Sequence, residues 1–108
     1  MAYTVVLSAR ALRDIDAARQ YIARFAPETS ERWYTTFLQA LLRLERNPGA
    51  MPLAPESIAF PFELRQFMFR TKSRLANRAL FTIVGSEVRV LAIRRPGQPL
   101  ITGTDFAQ

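Results

Sequence analysis

With 108 residues, nearly half of them apolar, the chain is long enough for one domain with a real hydrophobic core and too short for two. It has neither cysteine nor histidine, which excludes disulfides, thiolate catalysis and metal sites built from these two residue types. Its net charge of +6 is concentrated in residues 61–108, which carry eight basic and three acidic residues and so favour an anionic partner such as nucleic acid or an acidic protein.

The first half of the chain predicts a strand followed by two helices. The β-branched run 3–7 predicts a short strand, and Ser8 is a natural N-cap for a helix over about 9–25. Pro27 ends that helix, and a second helix is predicted over about 28–46. Because the linker is so short, we expect an antiparallel helical hairpin. Its apolar stripes place five residues in the core: Ile15, Ile22, Trp33, Phe37 and Leu41.

The second half predicts three strands. A proline-rich segment, read as an ordered loop, leads into runs at 62–69, 78–84 and 87–95. The order β-α-α-β-β-β predicts one α+β domain over 1–108, with the helical hairpin packed on a small antiparallel sheet and an irregular tail after residue 95. No apolar run approaches the ~20 residues of a membrane span, and the N-terminus lacks signal-peptide features. We therefore expect a cytoplasmic protein with no membrane partner.

The last two strands predict a hairpin that ends in paired arginines. Gly85-Ser86 suits a type II′ turn, and that register places Arg78 opposite Ile93 and diagonal to Arg95 on one face. Two guanidinium groups so placed indicate an anionic target. Removing either is expected to weaken toxicity and to leave stability unchanged or slightly improved. The alternative is that Arg78 forms a surface ion pair with Glu63, or less readily with the more distant Glu87.

The sequence offers little conventional catalytic chemistry. The acids are scattered, the four glycines are isolated and the serines have no histidine to activate them, so we expect no metal site, no cofactor and no catalytic triad. Arginine can still stabilise charge on a phosphoryl group. Lys72, the single lysine, could serve as a base beside Arg70, Arg74 and Arg78. The alternative is that residues 70–74 form a solvated loop.

The whole order of elements, rather than any single motif, carries a resemblance over residues 3–98. Its residues are Ala11, Asp14, Ile15, Pro27, Arg32-Trp33, Phe37, Leu41, Leu44, Asn47-Pro48, Leu64-Arg65 and the segments NRALFTI and VRVLAIRR. With these residues in this order, the chain resembles RelE/ParE superfamily toxins of type II toxin–antitoxin systems. Residues 51–63 are similar to a plasmid-stabilisation subgroup.

The resemblance implies the toxin half of a two-gene module, silenced by a cognate antitoxin. Such toxins either cut mRNA on the ribosome or poison DNA gyrase, and operator DNA is bound only through the antitoxin complex. The mRNA-cutting branch has a C-terminal tyrosine that the segment 96–99 lacks, which favours ParE-like gyrase inhibition. One alternative is a metal-independent, ribosome-dependent mRNA endonuclease. Another is a degenerate, non-toxic relative that serves as a nucleic-acid-binding or structural module.

The basic residues of the chain and the resemblance together give the candidate site residues. A ribonuclease would use Arg65, Lys72, Arg78 and Arg95 as its catalytic residues. The candidates for binding a target or nucleic acid are Arg65, Arg70, Arg74, Arg78, Arg94 and Arg95. The candidates for binding the antitoxin are Arg89 and Trp33, the latter as a partly exposed anchor if it is not in the core.

Overall fold

In the computed structural model, which describes residues 2–71 and 76–102, the chain begins with a strand and two long helices and ends with three strands. These elements are β1 (Thr4–Leu7), α1 (Ala9–Ala23), α2 (Pro27–Leu44), β2 (Arg65–Phe69), β3 (Asn77–Val84) and β4 (Glu87–Arg94). The predicted proline-rich loop between α2 and β2 contains two short 3₁₀ turns, Pro48–Ala50 and Pro55–Ala59. Within the described residues, no helix has the length and apolar character that crossing a membrane requires.

The four strands form one mixed sheet in the order β1-β4-β3-β2. β2 and β4 pair with β3 in antiparallel fashion, whereas β1 runs parallel to β4, with Thr4 opposite Glu87 and Leu7 opposite Val90. The predicted α+β fold is therefore confirmed, and β1 is the one strand that departs from the expected antiparallel sheet. A parallel neighbour requires a long crossover, which the two helices and two strands between β1 and β4 supply.

The hairpin of β3 and β4 contains a β-bulge. Gly85 has a φ of +61°, as the first central position of a type II′ turn requires, and Ser86 at the second position does not have a positive φ. The predicted register is confirmed from the turn to Phe81, which faces Val90. Beyond that point Leu91 is an extra residue in β4, so Arg78 faces Arg94 and its predicted pairing with Ile93 is wrong.

The helices begin where expected and pack on one face of the sheet. The Oγ of Ser8 accepts the N–H of Ala11 at 3.0 Å and so caps α1. α1 ends at Ala23, two residues earlier than predicted, and Pro27 occupies the first position of α2, where its missing N–H costs nothing. Three predicted core residues, Ile15, Trp33 and Phe37, are buried, and the other two, Ile22 and Leu41, are partly buried against them.

The opposite face of the sheet is covered at one end by the proline-rich loop and the C-terminal tail. Leu64, Leu80 and Ala92 point to this side and are fully buried under Ala54 from the loop and Ile101 from the tail. We call this side the loop face and the other the helix face. Because both faces of the sheet are covered here, a charged side chain that is buried between the loop and the sheet has to be neutralised inside the protein.

Candidate functional site

Arg78, the arginine expected to face an anionic target, is held by a buried carboxylate. Its Nη1 lies 2.7 Å from Oε1 of Glu56 and its Nη2 lies 2.8 Å from Oε2, which makes a bidentate ion pair. The side chain of Glu56 is fully buried and that of Arg78 is 15% exposed. Gln66 Oε1 accepts a further hydrogen bond from Arg78 Nη1 at 3.1 Å. The alternative prediction, a surface ion pair of Arg78 with Glu63 or Glu87, is therefore wrong in its partner and in its exposure.

The surroundings of Glu56 keep its carboxyl group ionised. Burial by itself raises the pKa of Glu56, because it disfavours the charged form. The hydrogen bonds and charge of Arg78, with the backbone N–H groups of Glu56 and Ile101, outweigh burial and bring the pKa below its ordinary value. The nitrogen of Ile101 lies 3.4 Å from Oε2. One carboxylate thus joins the loop, β3 and the tail.

Arg94 and Arg95 lie on opposite faces of the sheet. Arg94 is directly across from Arg78 on the loop face, and its Nη2 donates to the carbonyl of Pro99 at 2.6 Å. Arg95 follows β4, and its guanidinium carbon lies 4.2 Å from the ring centroid of Tyr21 on α1, on the helix face. The predicted diagonal pair of Arg78 and Arg95 on one face is therefore wrong, because the bulge reverses the face on which later residues of β4 lie.

The residues proposed for a ribonuclease site are not gathered on one surface. Arg65 Nη1 donates to the carbonyl of Met51 at 2.6 Å at the edge of the sheet. Side chains alternate along a strand, so Arg65 shares the helix face with Phe67. Arg95 is also on the helix face, near α1, whereas Arg78 is on the loop face. Among the described residues, the arginines expected to act together on one phosphate are therefore separated.

The remaining basic candidates belong, in sequence, to the connection between β2 and β3. Arg70 is exposed just after β2. Lys72 and Arg74 lie outside the described residues, so the catalytic role predicted for Lys72 and the target-binding role predicted for Arg74 stay predictions.

Of the two candidates for antitoxin contact, only Arg89 is at the surface. It is exposed on the loop face of β4, where its Nε pairs with the carboxylate of Glu87. Trp33 is 2% exposed, and its Nε1 donates to Oδ1 of Asn77 at 3.1 Å. The interpretation of Trp33 as a partly exposed anchor is therefore wrong, and its placement in the core is confirmed.

A basic groove runs between α2 and the outer edge of β2. It consists of two adjoining cavities of about 440 and 420 Å³, with Arg32 beside one, Arg43 beside the other and Arg70 lining both. The outer edge of β2 is covered where the strand begins, because the N–H of Gln66 donates to the carbonyl of Pro52 at 3.0 Å. The next outward-facing residue of β2, Met68, has no backbone partner in the described part of the chain. The groove therefore ends at a sheet edge that can accept another strand.

Sequence reasoning assigned no role to three residues that hold the hairpin and its arginines in place. Glu56 stands in a proline-flanked loop with no periodicity, and its burial depends on contacts distant in sequence. Tyr21 belongs to the exposed side of α1, and no local pattern marks it as the platform for Arg95. Asp14 had a detectable signal, because it borders the apolar stripe of α1, and its Oδ2 accepts the N–H of Ile93 at 2.9 Å. That contact gives the backbone N–H of Ile93 a hydrogen-bond acceptor in the part of β4 that extends past the end of β1.

Comparison with known proteins places this geometry among toxins. The family model described as "ParE toxin of type II toxin-antitoxin system, parDE" matches residues 5–98. A chain of the chromosomal ParDE toxin–antitoxin system of Pseudomonas aeruginosa superposes with a TM-score of 0.69 at 20% identity, covering 88% of this chain and 97% of that one. A chain of the RelBE2 toxin–antitoxin complex of Mycobacterium tuberculosis gives a TM-score of 0.51 at 21% identity, covering 88% and 99%. No curated protein sequence matches significantly.

Proposed function

Because the chain belongs to the ParE toxin family of type II toxin–antitoxin systems, we propose that it acts by binding its target, as a ParE-like inhibitor of DNA gyrase. The observation that carries this proposal is the buried pair of Arg78 and Glu56. An arginine neutralised inside the protein cannot also stabilise charge on a phosphate, and Arg65 and Arg95 lie on the other face of the sheet. This arrangement supports binding over the alternative of mRNA cleavage.

A supercoiling assay tests the target directly. Increasing amounts of the purified toxin should inhibit ATP-dependent supercoiling by purified gyrase, and addition of the antitoxin should restore it. In cells, expression should induce the DNA damage response before protein synthesis falls. Cleavage of mRNA in a translation extract, with supercoiling unaffected, would instead support the ribonuclease alternative. Expression without any effect on growth would support the non-toxic relative.

The partner that we propose is a cognate antitoxin with an acidic segment. The basic groove between α2 and β2 complements such a segment in charge, and the open edge at Met68 offers backbone groups for strand addition. The two structural neighbours are described as a toxin–antitoxin system and a toxin–antitoxin complex. Co-expression with the product of an adjacent small open reading frame should give a stable complex, and failure to co-purify would argue against this partner.

The wider setting follows from the same proposal. We propose that operator DNA is contacted only through the antitoxin complex, that the module serves plasmid stabilisation, and that the toxin works in the cytoplasm, where gyrase and ribosomes are found. Operator binding should therefore be seen with the toxin–antitoxin complex in a gel-shift assay and not with the toxin alone.

A further inference from the structure

A separate pocket opens where both helices meet the end of the sheet. It has a volume of about 270 Å³ and lies between α1, α2 and the residue that follows β4. We call it the Arg95 pocket and define it by six of its lining residues: Tyr21, Ile22, Thr29, Trp33, Thr71 and Arg95. Thr71 also lines the basic groove between α2 and the edge of β2, so the two sites adjoin, and the Arg95 pocket extends from there to Tyr21 and Ile22 of α1.

The guanidinium group of Arg95 is held in place but has no carboxylate partner in the part of the chain that the structure describes. It stacks on the ring of Tyr21 at 4.2 Å, and the backbone N–H of Arg95 donates to Oε1 of Gln98 at 2.7 Å. Among the described residues its side chain makes no ion pair and no hydrogen bond, in contrast to Arg78, which is neutralised by Glu56. A planar cation fixed by stacking, with its N–H groups unused, is ready to bind an anion bidentately.

The other walls of the pocket limit what that anion can be. Tyr21 and Ile22 contribute apolar surface, Thr29 and Thr71 contribute hydroxyl groups, and Arg95 is the only charged residue among the described lining residues. The Nε1 of Trp33 is already bonded to Asn77 and is not available to a ligand. A nucleic-acid strand carries a phosphate at every step and is matched by several cations. A single cation among the described lining residues, beside the ring of Tyr21 and two hydroxyl groups, instead fits one carboxylate side chain with an apolar neighbour.

The rim of the pocket has the composition of a protein-binding surface. Phe25, just beyond α1, is 76% exposed, and its ring lies 5.6 Å from that of Tyr21, which is itself 45% exposed. Tyrosine and arginine are enriched among the residues that carry most of the energy of protein interfaces. The chain has a net charge of +6, so an acidic partner is complementary to it.

We propose that the Arg95 pocket binds an aspartate or glutamate side chain of the cognate antitoxin, with an apolar residue of the same segment packed against Tyr21. The inference rests on the proposed antitoxin partnership. It adds a second contact next to the basic groove, so that the antitoxin would reach from the edge of β2 to α1.

The test measures how fast the antitoxin leaves the complex. Toxin variants are co-expressed with the product of the adjacent open reading frame, labelled with a fluorophore, and the purified complex is chased with unlabelled antitoxin. Arg95→Gln should accelerate dissociation by about 10- to 100-fold, the range for loss of a charge-assisted hydrogen-bonded contact. The matched control is Arg46→Gln, which removes an exposed arginine near the Gly85 turn at the opposite end of the sheet and should change the rate less than about twofold.

A mutant cycle separates a direct contact from a loss of folding. The acids of the antitoxin are changed one at a time to their amides, and one of these changes should have little further effect in the Arg95→Gln complex. If Arg95→Gln fails to fold, Arg95→Lys is measured instead. It keeps a weaker ion pair but loses the bidentate geometry and the planar stack on Tyr21, so its complex should still dissociate faster than the Arg46→Gln complex. Additive effects for every acid would overturn the contact.

The remaining outcomes are distinguishable. If the wild-type complex does not form, the antitoxin partnership fails and the pocket proposal fails with it. If the complex forms and Arg95→Gln dissociates no faster than Arg46→Gln, only the pocket proposal is wrong. If Arg95→Gln leaves antitoxin exchange unchanged but abolishes binding of a fluorescent single-stranded RNA oligonucleotide, the pocket is a nucleic-acid site and the proposal is overturned.

Discussion

Replacing Glu56 with alanine is expected to destabilise the fold by about 3–5 kcal/mol, because the guanidinium of Arg78 is then left buried without its counter-ion. The wild-type carboxylate is fully buried and accepts hydrogen bonds of 2.7 and 2.8 Å from Arg78. Its loss also removes the acceptor for the N–H of Ile101, which anchors the tail. Glu56→Gln keeps one acceptor oxygen and is expected to cost less, about 1–3 kcal/mol.

Urea unfolding followed by circular dichroism measures these free energies. The matched control is Glu63→Ala, because that carboxylate also faces an arginine, at 3.4 Å from Arg65 Nη2, but is 69% exposed. The control should change the free energy of unfolding by no more than about 0.5 kcal/mol. The double variant Glu56→Leu, Arg78→Met should be more stable than Glu56→Ala, since no charge is left unpaired. A Glu56→Ala variant as stable as the control would refute this reasoning.

The same contact reverses the sequence-based expectation for Arg78. Because its guanidinium neutralises a fully buried carboxylate, Arg78→Ala should destabilise the fold instead of leaving stability unchanged. Any loss of toxicity in that variant therefore has to be compared with its melting temperature before it is attributed to target binding.

Three further predictions concern pH, the turn and the helix cap. The pKa of Glu56 is lower in the folded chain than its ordinary value of 4.5, so its stabilisation should be present above that pH and be lost as the pH falls through the folded value; the stability difference between wild type and Glu56→Gln, measured by urea unfolding, should shrink accordingly. Gly85→Ala should lower the melting temperature because φ is +61°, whereas Gly49→Ala, at a position without positive φ and with open space around it, should not. Ser8→Ala should cost about 1–2 kcal/mol of unfolding free energy, since its Oγ both caps α1 and donates to the carbonyl of Leu91; an unchanged urea midpoint would contradict this.

Local patterns in the sequence were sufficient to predict the elements and most of the core. Ile15, Trp33 and Phe37 follow from helical periodicity, and the turn follows from the ability of Gly85 to adopt a positive φ. The parallel pairing of β1 was not predictable in this way, because it depends on which strand is nearest after the chain has passed through both helices. Glu56 was missed for a similar reason, since only the folded chain brings the loop onto β3.

One residue of β4, Leu91, decides what the basic residues of the hairpin can do. With regular alternation from Val90, Arg95 would lie on the loop face with Arg78, and the two would form the cationic pair that the sequence predicts. The extra residue at the bulge moves Arg94 into that place and turns Arg95 toward Tyr21. Because Arg78 is then neutralised internally while the guanidinium of Arg95 has no ion pair within residues 2–71 and 76–102, the bulge separates a structural arginine from one that the proposal makes available to a partner. The same bulge places the N–H of Ile93 beside the carboxylate of Asp14, so the register that separates the arginines is itself anchored by α1.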